Sequence, residues 1–115
     1  LARNTRNISW VKAAQKGFLK FSAVVREDML MALTIAAEGC KADSAKPMKG
    51  LGAGVFEITK RYNTDTYRTV YGLKIGEDIW VVHAFKKKSK TKMKTPKEDI
   101  ALIKSRIKHL KEIVK

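Results

Sequence analysis

Glu57, Arg68, Lys86 and Lys87 are the residues whose types and spacing could do chemistry in this chain. Alternation along extended segments assigns their faces. In Val55–Arg61, Phe56 and Ile58 are core-like, so Glu57 points the other way. In Tyr67–Ile75, Tyr67, Thr69, Tyr71 and Leu73 share one face, and Arg68, Val70 and Gly72 the other. If the tyrosine face packs inward, Arg68 joins Glu57. In Asp78–Phe85, continued to Lys87, alternation puts Val81, His83, Phe85 and Lys87 on one side. That strand is too apolar to say which side is open. The assignment permits a cluster of Glu57, Arg68, Lys86 or Lys87, and His83.

Such a cluster could cut RNA without a metal. The 2′-hydroxyl attacks the adjacent phosphorus in line with the departing 5′-oxygen. A base takes the 2′ proton, cations offset the charge of the transition state, and an acid protonates the leaving oxygen. Arg68 offers a bidentate fork to phosphate oxygens, and a lysine offers charge or a proton. Glu57 is one candidate base. Crowded cations also favour a neutral lysine, so Lys86 or Lys87 is the other. The plain structural reading of Glu57 beside Arg68 is a cross-strand ion pair.

The elements that must position these residues follow from pattern. Ile8–Val11 reads as a short strand, and Lys12–Phe21 as a helix with Ala14, Phe18 and Phe21 on one face. Ser22 caps a second helix that runs to Glu38 and stops at Gly39. Residues 40–54 form a loop rich in Ala, Ser, Lys, Pro and Gly. Three strands, Val55–Arg61, Tyr67–Ile75 and Asp78–Phe85, make an antiparallel meander. Thr95 caps the last helix, with Pro96 at its first position and Glu98 three residues after the cap. Ile100, Ile103, Ile107, Leu110 and Val114 form its apolar stripe, and Lys97, Lys104, Lys108 and Lys111 another face. The order (β)ααβββα predicts a single α+β domain over residues 1–115. Its helices pack on one face of a curved antiparallel sheet, and the other face is left open to a ligand.

The net charge of +14 argues for a polyanionic partner. Six of the nine residues from Lys86 to Lys94 are lysine, directly after the apolar run Ile79–Phe85. The first of them are therefore held by the fold, and those from Lys90 to Lys94 read as a solvated loop. One cysteine, Cys40, excludes an internal disulfide and suits a reducing cytoplasm. The N-terminal stretch is polar, so no signal peptide is expected. No apolar run approaches the ~20 residues needed to cross a bilayer, and no membrane partner is expected. The two histidines and the cysteine have no metal-ligand spacing. The glycines from Gly50 to Gly54 match neither a P-loop nor a dinucleotide fingerprint, so no cofactor is expected. His83 reads as a packing histidine and His109 as a surface one.

Several motifs occur in order: Lys46-Pro47-Met48-Lys49-Gly50-Leu51-Gly52, Val55-Phe56-Glu57-Ile58, Tyr67-Arg68-Thr69-Val70-Tyr71, His83-Ala84-Phe85-Lys86-Lys87-Lys88-Ser89 and Thr95-Pro96. Together they resemble the phage-derived, HigB-like branch of the RelE/ParE toxin superfamily, over Trp10 to Lys111. The resemblance implies a RelE-like fold and the toxin of a type II toxin–antitoxin pair. It implies a metal-independent endoribonuclease (an mRNA interferase) that cuts mRNA in the ribosomal A site, with a cognate antitoxin as protein partner. Arg68 matches the arginine that contacts the scissile phosphate. Lys87 falls near the basic residue that stabilises the transition state, and Glu57 matches a position for the base. The paired lysines of RelE are absent from Val55–Lys60 apart from Lys60, and Lys90–Thr95 replaces a tyrosine that some members carry. Two rivals remain from other classes: a ParE-like gyrase inhibitor on the same fold, and a non-enzymatic RNA- or DNA-binding module.

Overall fold

Ile79, Trp80, Val81 and Val82 leave no polar side on their strand, and such a strand needs cover on both faces. The computed structural model, which describes residues 5–88 and 94–114 (the side chain of Lys88 excepted), supplies that cover. The chain runs β1 (Ile8–Trp10), α1 (Lys12–Leu19), α2 (Ala23–Ala37), β2 (Ala45–Pro47), β3 (Val55–Tyr62), β4 (Asp65–Ile75), β5 (Asp78–Lys88) and α3 (Lys97–Ile113). The strands form one open sheet in the order β1-β5-β4-β3-β2. Neighbours from β5 to β2 are antiparallel, whereas β1 runs parallel to β5. The α+β class and the order of helices and long strands match the expectation. The sheet is mixed, and β2 is an additional strand within the segment read as a loop.

One core lies between the helical hairpin and the sheet. Phe18, Phe21, Val25, Met29 and Leu33 meet Ile58, Tyr67, Tyr71, Ile79 and Val81. Phe21 and Tyr67 make an edge-to-face contact, their ring centroids 5.0 Å apart. Burial in this layer pushes the Tyr71 hydroxyl up to about 12. The hairpin ends as its sequence predicts. Gly39, at φ +92°, closes α2 with bonds from the Gly39 and Cys40 amides to the carbonyls of Ala36 and Ile35.

A second core lies across the sheet. There Ile103, Ile107 and Leu110 of α3 pack on Val55, Val70, Ile75 and Val82. The last helix is therefore not on the face expected for it. Its apolar stripe requires an apolar surface, and the face opposite the hairpin offers one at Val70 and Val82. Each such side chain removed from water contributes about 1.5–3 kcal/mol, which decides the helix's position.

Helix α1 approaches β5 closely at Gly17. A Cβ built there would lie 2.5 Å from the Ala84 carbonyl oxygen. Backbone cannot yield as a flexible side chain can. Gly17→Ala should therefore destabilise the protein by roughly 1–3 kcal/mol. Denaturant unfolding reads this directly, and an unchanged midpoint would contradict the packing.

Candidate active site

Strand alternation carries Glu57 and Arg68 to the face opposite the helical hairpin, as expected from Ile58, Tyr67 and Tyr71 packing inward. In the β3–β4 register Glu57 lies opposite Val70 and Thr59 opposite Arg68, so Glu57 and Arg68 are diagonal neighbours. Arg68 Nη1 donates to Glu57 Oε1 at 2.6 Å, and Thr59 Oγ1 lies 3.5 Å from the same nitrogen. Both side chains are largely removed from water, 7% and 12% exposed respectively. The other Glu57 oxygen accepts a bond from the Thr95 hydroxyl. Thr95 is therefore not the cap of α3. Pro96 occupies the N-cap position, and no side chain caps the helix there. A cleft of about 450 Å³ opens beside the pair, bordered by Ser44, Lys46, Pro47 and Thr59. Lys46 and Pro47 of β2, a strand absent from the sequence expectation, supply part of that wall.

The lysines divide between faces. Lys87 lies opposite Thr66 and Phe85 opposite Arg68, so Lys87 and Phe85 share the Arg68 face. Lys86 lies opposite Tyr67 and shares the hairpin face, where its ammonium is 3.7 Å from Asp65 Oδ2. Glu57 and Arg68 are thus brought together with Lys87 on their face, and Lys86 is not on it. Lys90 and Lys92 lie outside the described residues, as does most of the segment read as a solvated loop.

His83 is buried, as its apolar neighbours suggested, but it is not a passive packing residue. The register shifts between Val70–His83 and Tyr71–Val81, which leaves Val82 as an extra residue. The bulge lets Val82 face α3 together with His83, so Val81 does not share the side of His83. His83 Nε2 lies 2.7 Å from Asp99 Oδ1, and Nδ1 lies 3.0 Å from Arg106 Nη1. A guanidinium only donates, so Nδ1 accepts and Nε2 donates to the carboxylate. Arg106 also donates to the Val82 carbonyl at 2.9 Å. Burial lowers the Arg106 pKa from its ordinary value. The His83 ring stacks on Phe85 with centroids 4.9 Å apart, beside Arg68. Sequence carried a signal for this network. Asp99, Ile103, Arg106 and Leu110 recur at helical spacing, which places two charged residues on the core-facing side of α3. Among the described residues no group of three or more His, Cys, Asp and Glu side chains is assembled for a metal ion.

An open sheet with a two-helix hairpin on one face and the last helix on the other is a RelE-like fold. The family model of the phage-derived protein Gp49-like (DUF891) matches residues 16–108, and the chain belongs to that family. The expected placement in the phage-derived branch of the RelE/ParE superfamily therefore stands. Among solved structures, the fold is similar to that of the Escherichia coli toxin RelE, an arginine-to-alanine double mutant in the free state. The TM-score is 0.57 at 21% identity, over 70% of this chain and 82% of that one. No curated protein matches the sequence.

Asp99→Ala would leave the buried His83 Nε2–H without its acceptor. Stability should fall by about 1–3 kcal/mol, whereas Glu98→Ala at the exposed neighbouring position should stay within ~0.5 kcal/mol of wild type. Equal unfolding midpoints for the two variants would contradict a structural role for the network.

Proposed function

We propose that this protein is the toxin of a type II toxin–antitoxin pair, acting in the cytoplasm as a ribosome-dependent mRNA endoribonuclease. Family membership and fold support the toxin reading. The observation that carries the nuclease reading is the buried Arg68–Glu57 pair beside an open cleft, with Lys87 on the same face.

In the free protein Arg68 holds the Glu57 carboxylate. A scissile phosphate entering the cleft offers Arg68 a second anion. Its fork turns to the phosphate oxygens and releases a Glu57 oxygen. That oxygen takes the 2′ proton as the 2′-oxygen bonds to phosphorus. The bond from phosphorus to the 5′-oxygen breaks, leaving a 2′,3′-cyclic phosphate and a 5′-hydroxyl. Lys87 offsets the charge that builds on phosphorus and supplies the proton for the leaving oxygen. Thr95 keeps its bond to the other Glu57 oxygen and so aims the carboxylate. The proposal gives this part to Lys87 rather than Lys86, because Lys86 is turned to the far face beside Asp65. Phe85, half-buried next to Arg68 and backed by His83, adds an aromatic surface near the phosphate.

Inducible expression in bacteria with mapping of mRNA 5′ ends tests the reading. Wild type should arrest growth and create new ends inside translated codons. Arg68→Ala should cut about 10²–10³-fold more slowly, Lys87→Ala should also be impaired, and Lys86→Ala should remain active. Arrest with intact mRNA would move the assignment to gyrase. No arrest would leave a binding module.

A further inference from the structure

Lys46 has no part in the chemistry described above, yet it lines the cleft beside Arg68. Strand β2 puts it there. The Thr59 amide donates to the Ser44 carbonyl at 3.1 Å and the Met48 amide to the Val55 carbonyl at 2.9 Å, and between these bonds Lys46 lies opposite Glu57. Directly opposed residues share a face of the sheet, so Lys46 stands on the Glu57 side. Ala45, buried in the hairpin core, holds that register, because a one-residue slip would turn it out of the core. In sheet order Lys87, Arg68, Glu57 and Lys46 thus occupy the successive strands β5, β4, β3 and β2 on one face. Arg68 is buried and engaged with Glu57. Lys46 is exposed, and among the described residues its ammonium has no ion pair or hydrogen bond.

We infer that Lys46 holds the RNA phosphate next to the scissile one, an inference that rests on the nuclease reading above. The backbones of β2 and β4 lie two strand spacings apart, about 10 Å. That separation suits successive phosphates of one strand, one on Arg68 and its neighbour on Lys46. The RNA then crosses the sheet from Lys87 to the β2 edge. A lysine fits the task, because an ammonium on a flexible stem needs no fixed fork at a phosphate that does not react. Asp43 borders the same cleft and repels an anion, so the neighbouring phosphate is confined to the Lys46 side. This phosphate keeps its charge throughout the reaction. Its contact with Lys46 is therefore equally strong in the bound substrate and in the transition state, and it lowers KM without raising kcat.

The test uses the full chain on programmed ribosomes, with mRNA that carries either natural phosphates or one uncharged methylphosphonate beside the cut. Lys46→Ala should raise KM about fivefold, with kcat within about twofold and an unchanged unfolding curve. Lys16→Ala, at an exposed lysine of the helical hairpin, should leave KM as it is. In wild type a methylphosphonate at one of the two phosphates flanking the scissile one should raise KM by the same factor, and in Lys46→Ala it should raise KM no further. Equal KM values for Lys46→Ala and Lys16→Ala would overturn the inference, as would additive losses from Lys46→Ala and the methylphosphonate. A fall in kcat at unchanged KM would overturn it too and place Lys46 in the chemistry. If wild type cuts no mRNA, the nuclease reading fails, and equilibrium binding of a short labelled single-stranded RNA takes the place of KM. A greater loss of affinity in Lys46→Ala than in Lys16→Ala would then keep Lys46 as a phosphate-binding residue, and equal losses would remove it.

Discussion

The interaction on which the candidate site depends is the ion pair of Arg68 and Glu57, buried on the face of a sheet. Removing two charges from water is costly, and their attraction offsets that cost only with good geometry and satisfied neighbours. The sheet supplies the geometry. A one-residue slip between β3 and β4 would send Glu57 to the opposite face, into the aromatic core. Register there is fixed by Ile58, Tyr67 and Tyr71 beneath the hairpin. The apolar core on one side thus determines where the charges stand on the other. A buried pair of this kind is weak evidence for stability, since apolar residues of similar volume often serve as well. Its position beside a cleft is what the proposed exchange of Glu57 for a phosphate on Arg68 would use.

Helix α3 connects that pair to the rest of the fold. Its apolar stripe completes the second core, and two polar links tie its leading end to the sheet. One is Thr95 to Glu57, and the other is the chain from Asp99 through His83 to Arg106. Alternation from Phe85 turns His83 towards the helix, and the bulge lets Val82 face it as well. His83 then backs Phe85, which is the cross-strand neighbour of Arg68. Packing at the core end of α3 and orientation at the site end are therefore parts of one arrangement. The lysine row on the outer side of the same helix is free of both.

Much of this arrangement was legible in the sequence. Strong periodicity located both hairpin helices, the three long strands and the last helix, and strict alternation paired Glu57 with Arg68. Alternation fails where a bulge interrupts it: the pattern puts Val81 and His83 on one side, and a single extra residue separates them. Helix α3 departs from its expected face because Ile79–Val82 is apolar on both sides, a pattern that itself asks for cover on both. The strand β2 is three residues long and includes Pro47, too short to show a period. Thr95 has the spacing of a capping residue, and nothing local reveals that its hydroxyl turns to a carboxylate 38 residues away in the chain. Tertiary demand for a donor at Glu57 overrode the local motif.

The most direct test of the central claim is the chemistry of the cut ends. Wild-type protein would be incubated with programmed ribosomes, and the ends of the cleaved mRNA identified by mass spectrometry. Attack by the 2′-hydroxyl predicts a 2′,3′-cyclic phosphate (or the 3′-phosphate derived from it) and a 5′-hydroxyl. A 2′-deoxy substitution at the cleaved nucleotide should abolish the cut. Ends bearing a 5′-phosphate, or cleavage that survives the 2′-deoxy substitution, would contradict the roles given to Glu57, Arg68 and Lys87.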